Sequence, residues 1–133
     1  RMRTIVWPIH PRTLSSLKKF KLLNKIKKNI ILIPPQGYLD FLKLEKSTKL
    51  VITDSGGVQK ESFLLKVPCV ILRNETEWSE PVKLGLSKLI QVSSSSEMMI
   101  KYNHLKFKKP KNYYPYGKGD AVKKIAALIS MSS

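Results

Sequence analysis

The sequence is 133 residues long and 42% of its residues are apolar. A chain of this size and composition forms one ordinary domain with a hydrophobic core that needs neither disulfides nor metal. No apolar run approaches the roughly 20 residues of a membrane span, and no secretion signal is visible. We therefore expect one domain over residues 1–133, in the cytoplasm and away from membranes. The single cysteine, Cys69, lies in an apolar run and is predicted to be a core thiol.

The formal net charge of +16 raises the question of nucleic-acid binding. Of the 25 basic residues 21 are lysine and four are arginine, whereas base reading and bidentate phosphate binding favour arginine. The lysines are spread along the chain and cluster only at residues 25–28 and 106–111. This pattern favours a solvated lysine surface, and a basic nucleic-acid-binding protein remains an alternative.

Short apolar segments rich in β-branched residues alternate with helical ones, a pattern typical of βαβ units and a parallel sheet. Five strands are predicted, at residues 4–7, 30–33, 49–53, 69–72 and 88–92. Six helices are predicted, at residues 14–20, 38–44, 57–65, 82–84, 95–102 and 121–131, with Thr13 capping the first and Asp120 the last. Residues 106–119 are predicted to be an irregular surface stretch. Because crossovers are right-handed, the pattern indicates an α/β, doubly wound, Rossmann-like domain.

Such sheets bind ligands at the carboxyl ends of their strands, so the loops at residues 8–13, 34–37, 54–57 and 73–77 are the candidate site. Asp54-Ser55-Gly56-Gly57 leaves a strand and enters a helix. The helix dipole, the free backbone N–H groups and the serine hydroxyl suit an anion, and two glycines let it approach closely. Glu61 follows one turn later, where a carboxylate can bind ribose hydroxyls. A plain tight turn and a solvated glutamate are the alternatives.

Two further loops carry charged groups. Arg73-Asn74-Glu75-Thr76-Glu77 offers a guanidinium and two carboxylates, which can supply an acid, a base or a phosphate clamp. A helix start capped by Thr76 or Asn74 explains the same residues equally well. His10 and Arg12 lie in a loop stiffened by prolines, where they can contact phosphate or serve a structural role.

The chemistries with recognisable short motifs are absent from the sequence. No Cys/His metal spacing, G-x-S-x-G elbow or Walker-type lysine loop occurs. We therefore expect neither a metal nor another cofactor.

Residues 53–61, 68–73 and 76–78, together with residues 10–13 and 37–41 in the same order, resemble the non-hydrolysing UDP-N-acetylglucosamine 2-epimerases. The resemblance covers residues 5–89 and its most specific part is the D-S-G-G-x-Q-x-E pattern of residues 54–61. It implies the C-terminal part of a two-domain, glycosyltransferase-B-type fold, with a three-layer Rossmann-like domain. By resemblance, Ser55, Gly56 and Gly57 hold the diphosphate of a UDP-sugar and Glu61 holds the ribose.

The resemblance also implies roles for four other residues. Phe41 would lie against the uracil, and His10 looks like a histidine that contacts a second, activating UDP-sugar in some bacterial members. Arg73 and Glu77, with Glu61, are the candidates for a catalytic role. The implied reaction interconverts UDP-GlcNAc and UDP-ManNAc: UDP leaves to give a 2-acetamidoglucal and returns after C2 is protonated from the opposite face. The diphosphate cradle would then stabilise charge that develops in the transition state.

Two departures from the family limit this interpretation. The first departure is length, because the chain looks like only the C-terminal third of a family member. The carboxylates that move the C2 proton would belong to an N-terminal domain, which is therefore an expected partner. The family also allows a homodimer. Trp78 stands where many members have arginine, and Thr76-Glu77-Trp78 looks closer to relatives acting on diacetamido UDP-sugars. The alternatives are therefore an epimerase of such a sugar, and an inactive or split-gene remnant that only binds UDP.

Overall fold

The computed structural model describes residues 4–91, 94–111 and 113–131, which form five strands and seven helices. The chain divides into two compact units, unit 1 over Arg1–Leu42 and unit 2 over Lys43–Ser133. Each strand of the described chain pairs in parallel with a neighbour in its own unit. The α/β, Rossmann-like class predicted from the strand and helix alternation is therefore confirmed. The single-domain interpretation stays a prediction.

Unit 1 consists of two parallel strands with two helices in the crossover. Strand β1 (Ile5–Pro8) pairs with β2 (Ile30–Ile33), and helices α1 (Pro11–Lys19) and α2 (Leu23–Lys27) lie between them in the chain. Its buried apolar residues are Ile9, just after β1, and Leu17 on α1.

The start of α1 differs from the prediction. His10 is the N-cap, because its Nδ1 atom accepts a hydrogen bond from the Arg12 backbone N–H at 3.2 Å. Pro11 occupies the first helical turn, where its fixed φ suits a helix start and its missing N–H costs nothing. Thr13 is therefore inside the helix and the prediction of a Thr13 cap is wrong. Helix α2, in a lysine-rich segment, was not predicted.

Unit 2 contains a three-stranded parallel sheet with the order β3 (Val51–Thr53), β4 (Cys69–Ile71) and β5 (Ser87–Leu89). Helix α3 (Tyr38–Ser47) crosses the division between the units. The remaining helices belong to unit 2: α4 (Gly56–Leu64), α5 (Ser79–Lys83), α6 (Ser95–Asn103) and α7 (Ala121–Met131). Helix α7 has the predicted bounds. Helix α5 begins three residues before its prediction. The last strand was predicted at 88–92, whereas β5 begins at Ser87 and ends at Leu89, and Val92 lies outside the described residues.

The central strand β4 forms the core of unit 2. Its three residues are at most 1% exposed, as expected for a parallel strand covered on both faces. Val51 and Val67 pack with Cys69 and Ile71 in one apolar cluster. Burial raises the pKa of the Cys69 thiol to about 11, so the prediction of a core thiol is confirmed.

The stretch from 106 to 119 contains no helix or strand in its described residues, and it packs against helices of its own unit. The backbone N–H of Lys108 donates to the Gly85 carbonyl at 2.9 Å, just after α5. Gly85 has a φ of +85°, and a Cβ there would lie 3.1 Å from the Lys108 side chain. Tyr113 stacks near Phe63 of α4, with ring centroids 5.6 Å apart. The stretch thus covers part of α4 and the end of α5.

None of the helices in the described parts of the chain is both long enough and apolar enough to cross a membrane.

Candidate functional site

The N-terminus of α4 keeps its hydrogen-bond donors unused. Ser55 is the N-cap residue, with extended backbone at φ −81° and ψ 129°, and its side chain makes no capping hydrogen bond. Its own N–H donates to the Thr53 hydroxyl at 3.0 Å, which fixes the turn after β3. The first N–H groups of a helix have no partner within the helix. A serine that does not cap leaves these groups, and its own hydroxyl, for a ligand.

The packing around Gly56 and Gly57 does not require glycine at either position. A Cβ on Gly56 would lie 3.5 Å from the Trp78 indole nitrogen and 3.7 Å from a Glu77 carboxylate oxygen. A Cβ on Gly57 would lie 4.0 Å from the Ser55 hydroxyl. These are ordinary van der Waals distances, and neither glycine has a positive φ. What the glycines provide is therefore unfilled space beside the α4 N-terminus, large enough for a Cβ at each position.

Arg73 and Glu77 form an ion pair next to this space. Arg73 Nη1 lies 3.1 Å from Oε1 and 3.0 Å from Oε2 of Glu77. The pKa of Glu77 lies below its usual range because its own backbone N–H bonds the carboxylate and Arg73 pairs with it. The carboxylate near Gly56 is therefore ionised, and its charge is balanced by the guanidinium.

Thr76 ties this loop to α4. Its hydroxyl donates to the Gln59 side-chain oxygen at 2.5 Å and accepts from the Trp78 backbone N–H at 3.1 Å. Helix α5 has Trp78 as its N-cap residue, with no side-chain cap, so the alternative of a cap by Thr76 or Asn74 is wrong. The Thr76 hydroxyl instead accepts from the Trp78 N–H, which precedes the helix, and donates to Gln59, which is fully buried on α4.

Glu61 is half-buried on α4, one turn after Gly57, and its charge acts on a second carboxylate, Glu45. Glu45 on α3 is 3% exposed, and both of its carboxylate oxygens lack a hydrogen-bond partner among the described residues. Burial, and secondly the charge of Glu61, raise the pKa of Glu45 to about 7. Sequence analysis did not single out Glu45, because a glutamate in a helix is usually solvated.

The two predicted site residues of unit 1 are His10 and Phe41. His10 is exposed, and its Nδ1 is used in capping α1, which leaves Nε2 for any further contact. Phe41 is half-buried on α3, and its backbone N–H donates to the Gly37 carbonyl at 2.9 Å.

Unit 2 thus brings Gly56, Glu77 and Trp78 together, with Arg73 paired to Glu77. Four residues of this neighbourhood were missed as site residues: Gln59, Lys60, Trp78 and Tyr116. Lys60 Nζ lies 4.4 Å from the Trp78 ring centroid and 4.7 Å from that of Tyr116. Helical spacing from Gly56 could have indicated Lys60, but nothing in the sequence links it to Tyr116.

In the described ranges, no group of three or more histidine, cysteine, aspartate or glutamate side chains is placed to hold a metal ion. The fold is that of a parallel α/β protein, and an uncapped helix start with two glycines at a strand end is an arrangement with which many such proteins bind phosphate groups.

The comparisons with known proteins give the family. The family model described as UDP-N-acetylglucosamine 2-epimerase matches residues 1–130. The UDP-N-acetylglucosamine 2-epimerase of Methanocaldococcus jannaschii is 43% identical over 131 residues, which are 96% of this chain and 35% of that protein. The UDP-2,3-diacetamido-2,3-dideoxy-D-glucuronate 2-epimerase of Pseudomonas aeruginosa is 36% identical over 128 residues, 95% of this chain and 34% of that protein.

A solved structure agrees with these relatives. The M. jannaschii UDP-GlcNAc 2-epimerase in complex with UDP-GlcNAc and UDP matches 97% of this chain and 36% of its own, with a TM-score of 0.76 and 40% identity. The chain belongs to the UDP-N-acetylglucosamine 2-epimerase family, and it spans about 35% of the length of the curated relatives it matches. The predicted family is therefore confirmed.

Proposed function

We propose that this chain is the UDP-holding part of a UDP-N-acetylglucosamine 2-epimerase, which interconverts UDP-GlcNAc and UDP-ManNAc. The observation that carries the proposal is the uncapped start of α4, where Ser55 makes no capping bond beside two glycines that leave open space. The relative solved with UDP-GlcNAc and UDP supports a nucleotide-sugar as the ligand.

The diphosphate is the group that suits this helix start best. In the proposed reaction UDP is the leaving group, so negative charge grows on the diphosphate as the sugar C1–O bond breaks. The N–H groups near Gly56 and Gly57 and the Ser55 hydroxyl are fixed before the reaction, so they need no reorganisation to meet that charge. Stabilising the transition state in this way raises the rate, rather than merely tightening binding.

Arg73 and Glu77 serve this step as a pair. Glu77 lies beside Gly56 and would repel a diphosphate if its charge were uncompensated. The Arg73 guanidinium, 3.0 Å away, balances that charge. An ionised carboxylate next to the leaving group can accept hydrogen bonds from sugar hydroxyls, which assigns Glu77 an orienting role.

The other contacts follow the family. Glu61, half-buried on α4, binds the ribose hydroxyls, and Phe41 on α3 lies against the uracil. His10 is exposed with Nε2 available, and it contacts a second UDP-sugar that activates the enzyme.

The C2 proton transfer is assigned to the rest of the protein. Because the chain matches about 35% of its relatives' length, the N-terminal domain with the proton-transferring carboxylates is its proposed partner. A homodimer is the proposed assembly.

Calorimetric titration with UDP tests the binding site. Changing Ser55→Ala together with Glu61→Ala removes the hydroxyl and the ribose ligand, and should weaken UDP binding more than tenfold, about 1.4 kcal/mol or more. The matched control is Ser96→Ala with Glu97→Ala, which makes the same changes on the exposed surface of α6. Unchanged affinity in the folded double variant would contradict the proposed site. If the unaltered chain does not bind UDP at millimolar ligand, the proposed function is wrong.

An activity assay separates the epimerase from its alternatives. Epimer formation from UDP-GlcNAc should require the chain together with a supplied N-terminal domain. A diacetamido UDP-uronate is the competing substrate, because the P. aeruginosa relative named for it is 36% identical. UDP binding with no epimer formed from either sugar, even with that domain present, would identify a binding remnant.

A further inference from the structure

The side chain of Trp78 lies beside the proposed diphosphate cradle. Its indole nitrogen is the nearest atom to a Cβ built on Gly56, at 3.5 Å. The backbone of Trp78 is held in this place because its N–H donates to the Thr76 hydroxyl, which in turn donates to Gln59 of α4. The edge of the indole that carries the N–H therefore borders the open space at the α4 N-terminus.

The indole N–H donates no hydrogen bond to any residue that the structure describes. Across residues 4–91, 94–111 and 113–131, the only hydrogen bond of Trp78 is that of its backbone N–H. A tryptophan N–H usually finds an acceptor when the ring is not fully exposed, and this ring is half-buried. A donor held at a fixed place without an acceptor, at the edge of a space suited to an anion, is preorganised for a ligand oxygen.

Two neighbouring side chains fix the plane of the ring. Tyr116 meets Trp78 edge to face, with centroids 5.6 Å apart and an interplanar angle of 82°. The Tyr116 hydroxyl donates to a Glu80 carboxylate oxygen at 3.0 Å, which anchors this tyrosine to α5. Lys60 Nζ lies 4.4 Å from the Trp78 ring centroid and 4.7 Å from that of Tyr116. The rings and the ammonium thus form one cluster that joins α4, α5 and the 106–119 stretch.

The charge of Lys60 also favours donation by the indole. A cation near an aromatic ring draws electron density toward itself. This polarisation makes the N–H of the same ring a stronger donor. In this neighbourhood Arg73 balances the charge of Glu77, and Lys60 places a positive charge directly at the Trp78 ring.

We infer that the indole N–H of Trp78 donates a hydrogen bond to an oxygen of the bound diphosphate, and that Lys60 and Tyr116 hold the ring for this contact. The inference rests on the proposed function and adds a ligand-contacting residue to its site. Trp78 then fills, with a neutral donor and a nearby lysine, the position where many family members have a single arginine.

Calorimetry on Trp78→Phe tests this assignment. Phenylalanine keeps an aromatic ring but lacks the N–H, so the Kd for UDP should rise about five- to tenfold, as expected for one hydrogen bond to a charged acceptor at a partly exposed site. The control is Trp7→Phe, the same substitution at the chain's only other tryptophan, which lies in unit 1. Its Kd should change less than twofold.

The Trp7→Phe variant offers a second measurement, which does not depend on the folding of Trp78→Phe. It contains a single indole, so the one indole N–H signal in a ¹H–¹⁵N spectrum belongs to Trp78. Saturating UDP should move this proton signal downfield, as a new hydrogen bond requires.

Three results are distinguishable. Weaker UDP binding by Trp78→Phe, together with a downfield shift of the Trp78 indole proton, supports the inference. UDP binding by the unaltered chain, with equal affinity in folded Trp78→Phe or an unmoved indole signal, overturns the inference and leaves the proposed function standing. Absent UDP binding by the unaltered chain overturns the proposed function, and the inference falls with it.

Discussion

Gly57 separates a binding role for the α4 turn from a purely structural one. Its backbone has no positive φ, and a Cβ there would meet nothing closer than the Ser55 hydroxyl at 4.0 Å. Gly57→Ala should therefore keep or raise the free energy of unfolding, by up to about 1 kcal/mol, because alanine is the better helix former. The same methyl group would occupy the space proposed for the diphosphate, so UDP affinity should fall at least about tenfold.

Urea denaturation and a UDP titration of the same sample measure both effects. A variant that is destabilised and still binds UDP normally would show that the glycine serves the turn. A variant that is fully stable and binds poorly is the result predicted here.

Glu45 should make the stability of unit 2 depend on pH. Because burial raises its pKa from 4.5 to about 7, the folded state holds a proton that the unfolded state releases between those pH values. The contribution of this proton to the free energy of unfolding is fully present below about pH 4.5 and is lost as pH rises through about 7. The loss by pH 8 is about 3 kcal/mol.

Glu45→Gln should remove most of this dependence, leaving less than about 1 kcal/mol between pH 5 and pH 8. Urea denaturation followed by tryptophan fluorescence measures it, in a Trp7→Phe background so that Trp78 reports unit 2 alone. Glu75→Gln, which changes an exposed glutamate, is the control and should keep the full dependence. If Glu45→Gln behaves like that control, the pH response has another origin.

At the scale of elements, the strands were predicted well because their signal is local. Strand β2 has the predicted bounds, and β4 lies within its predicted run. Short runs of apolar, β-branched residues mark a strand whether it is covered on both faces, as β4 is, or partly exposed, as β2 is at Ile31. Helix α7 was also bounded correctly. It begins directly after Asp120, the residue predicted to cap it, and apolar residues recur along it at helical spacing.

The helix starts were predicted less well, because contacts beyond the local sequence decide them. Histidine is not among the preferred caps, so the Thr13 choice followed propensity while His10 made the actual bond. Thr76 has the right chemistry for a cap, but its hydroxyl is bonded to buried Gln59 on α4. Which of several polar side chains finds a partner depends on tertiary packing.

The candidate site, too, could be predicted from local sequence only in part. Ser55, Gly56 and Gly57 could be proposed from the sequence because strand end, glycine pair and helix start are contiguous. The cluster of Lys60 and Trp78 with Tyr116 could not, because Tyr116 reaches α4 only through the irregular 106–119 stretch. A contact made by such a stretch leaves no periodic signal in the sequence.

For the molecule as a whole, the net charge of +16 is the feature most open to misinterpretation. A diffuse lysine surface attracts any polyanion, including a nucleotide, without a defined site. Specific binding and diffuse attraction differ in where the nucleotide binds. A specific diphosphate site is confined to the start of α4, whereas diffusely attracted nucleotide would bind at the lysine clusters. The chain matches about 35% of its relatives' length. UDP binding can be tested on this chain directly, whereas the proposed turnover is expected only with an N-terminal domain added.

The most direct test of the central claim is a map of backbone ¹H–¹⁵N shifts as the chain is titrated first with uridine and then with UDP. The difference between the two ligands isolates the diphosphate. We predict that the largest differences fall on Gly56, Gly57 and Val58, whose N–H groups open α4. Differences concentrated instead at residues 25–28 and 106–111, and abolished by moderate salt, would contradict the account and identify the binding as diffuse charge attraction.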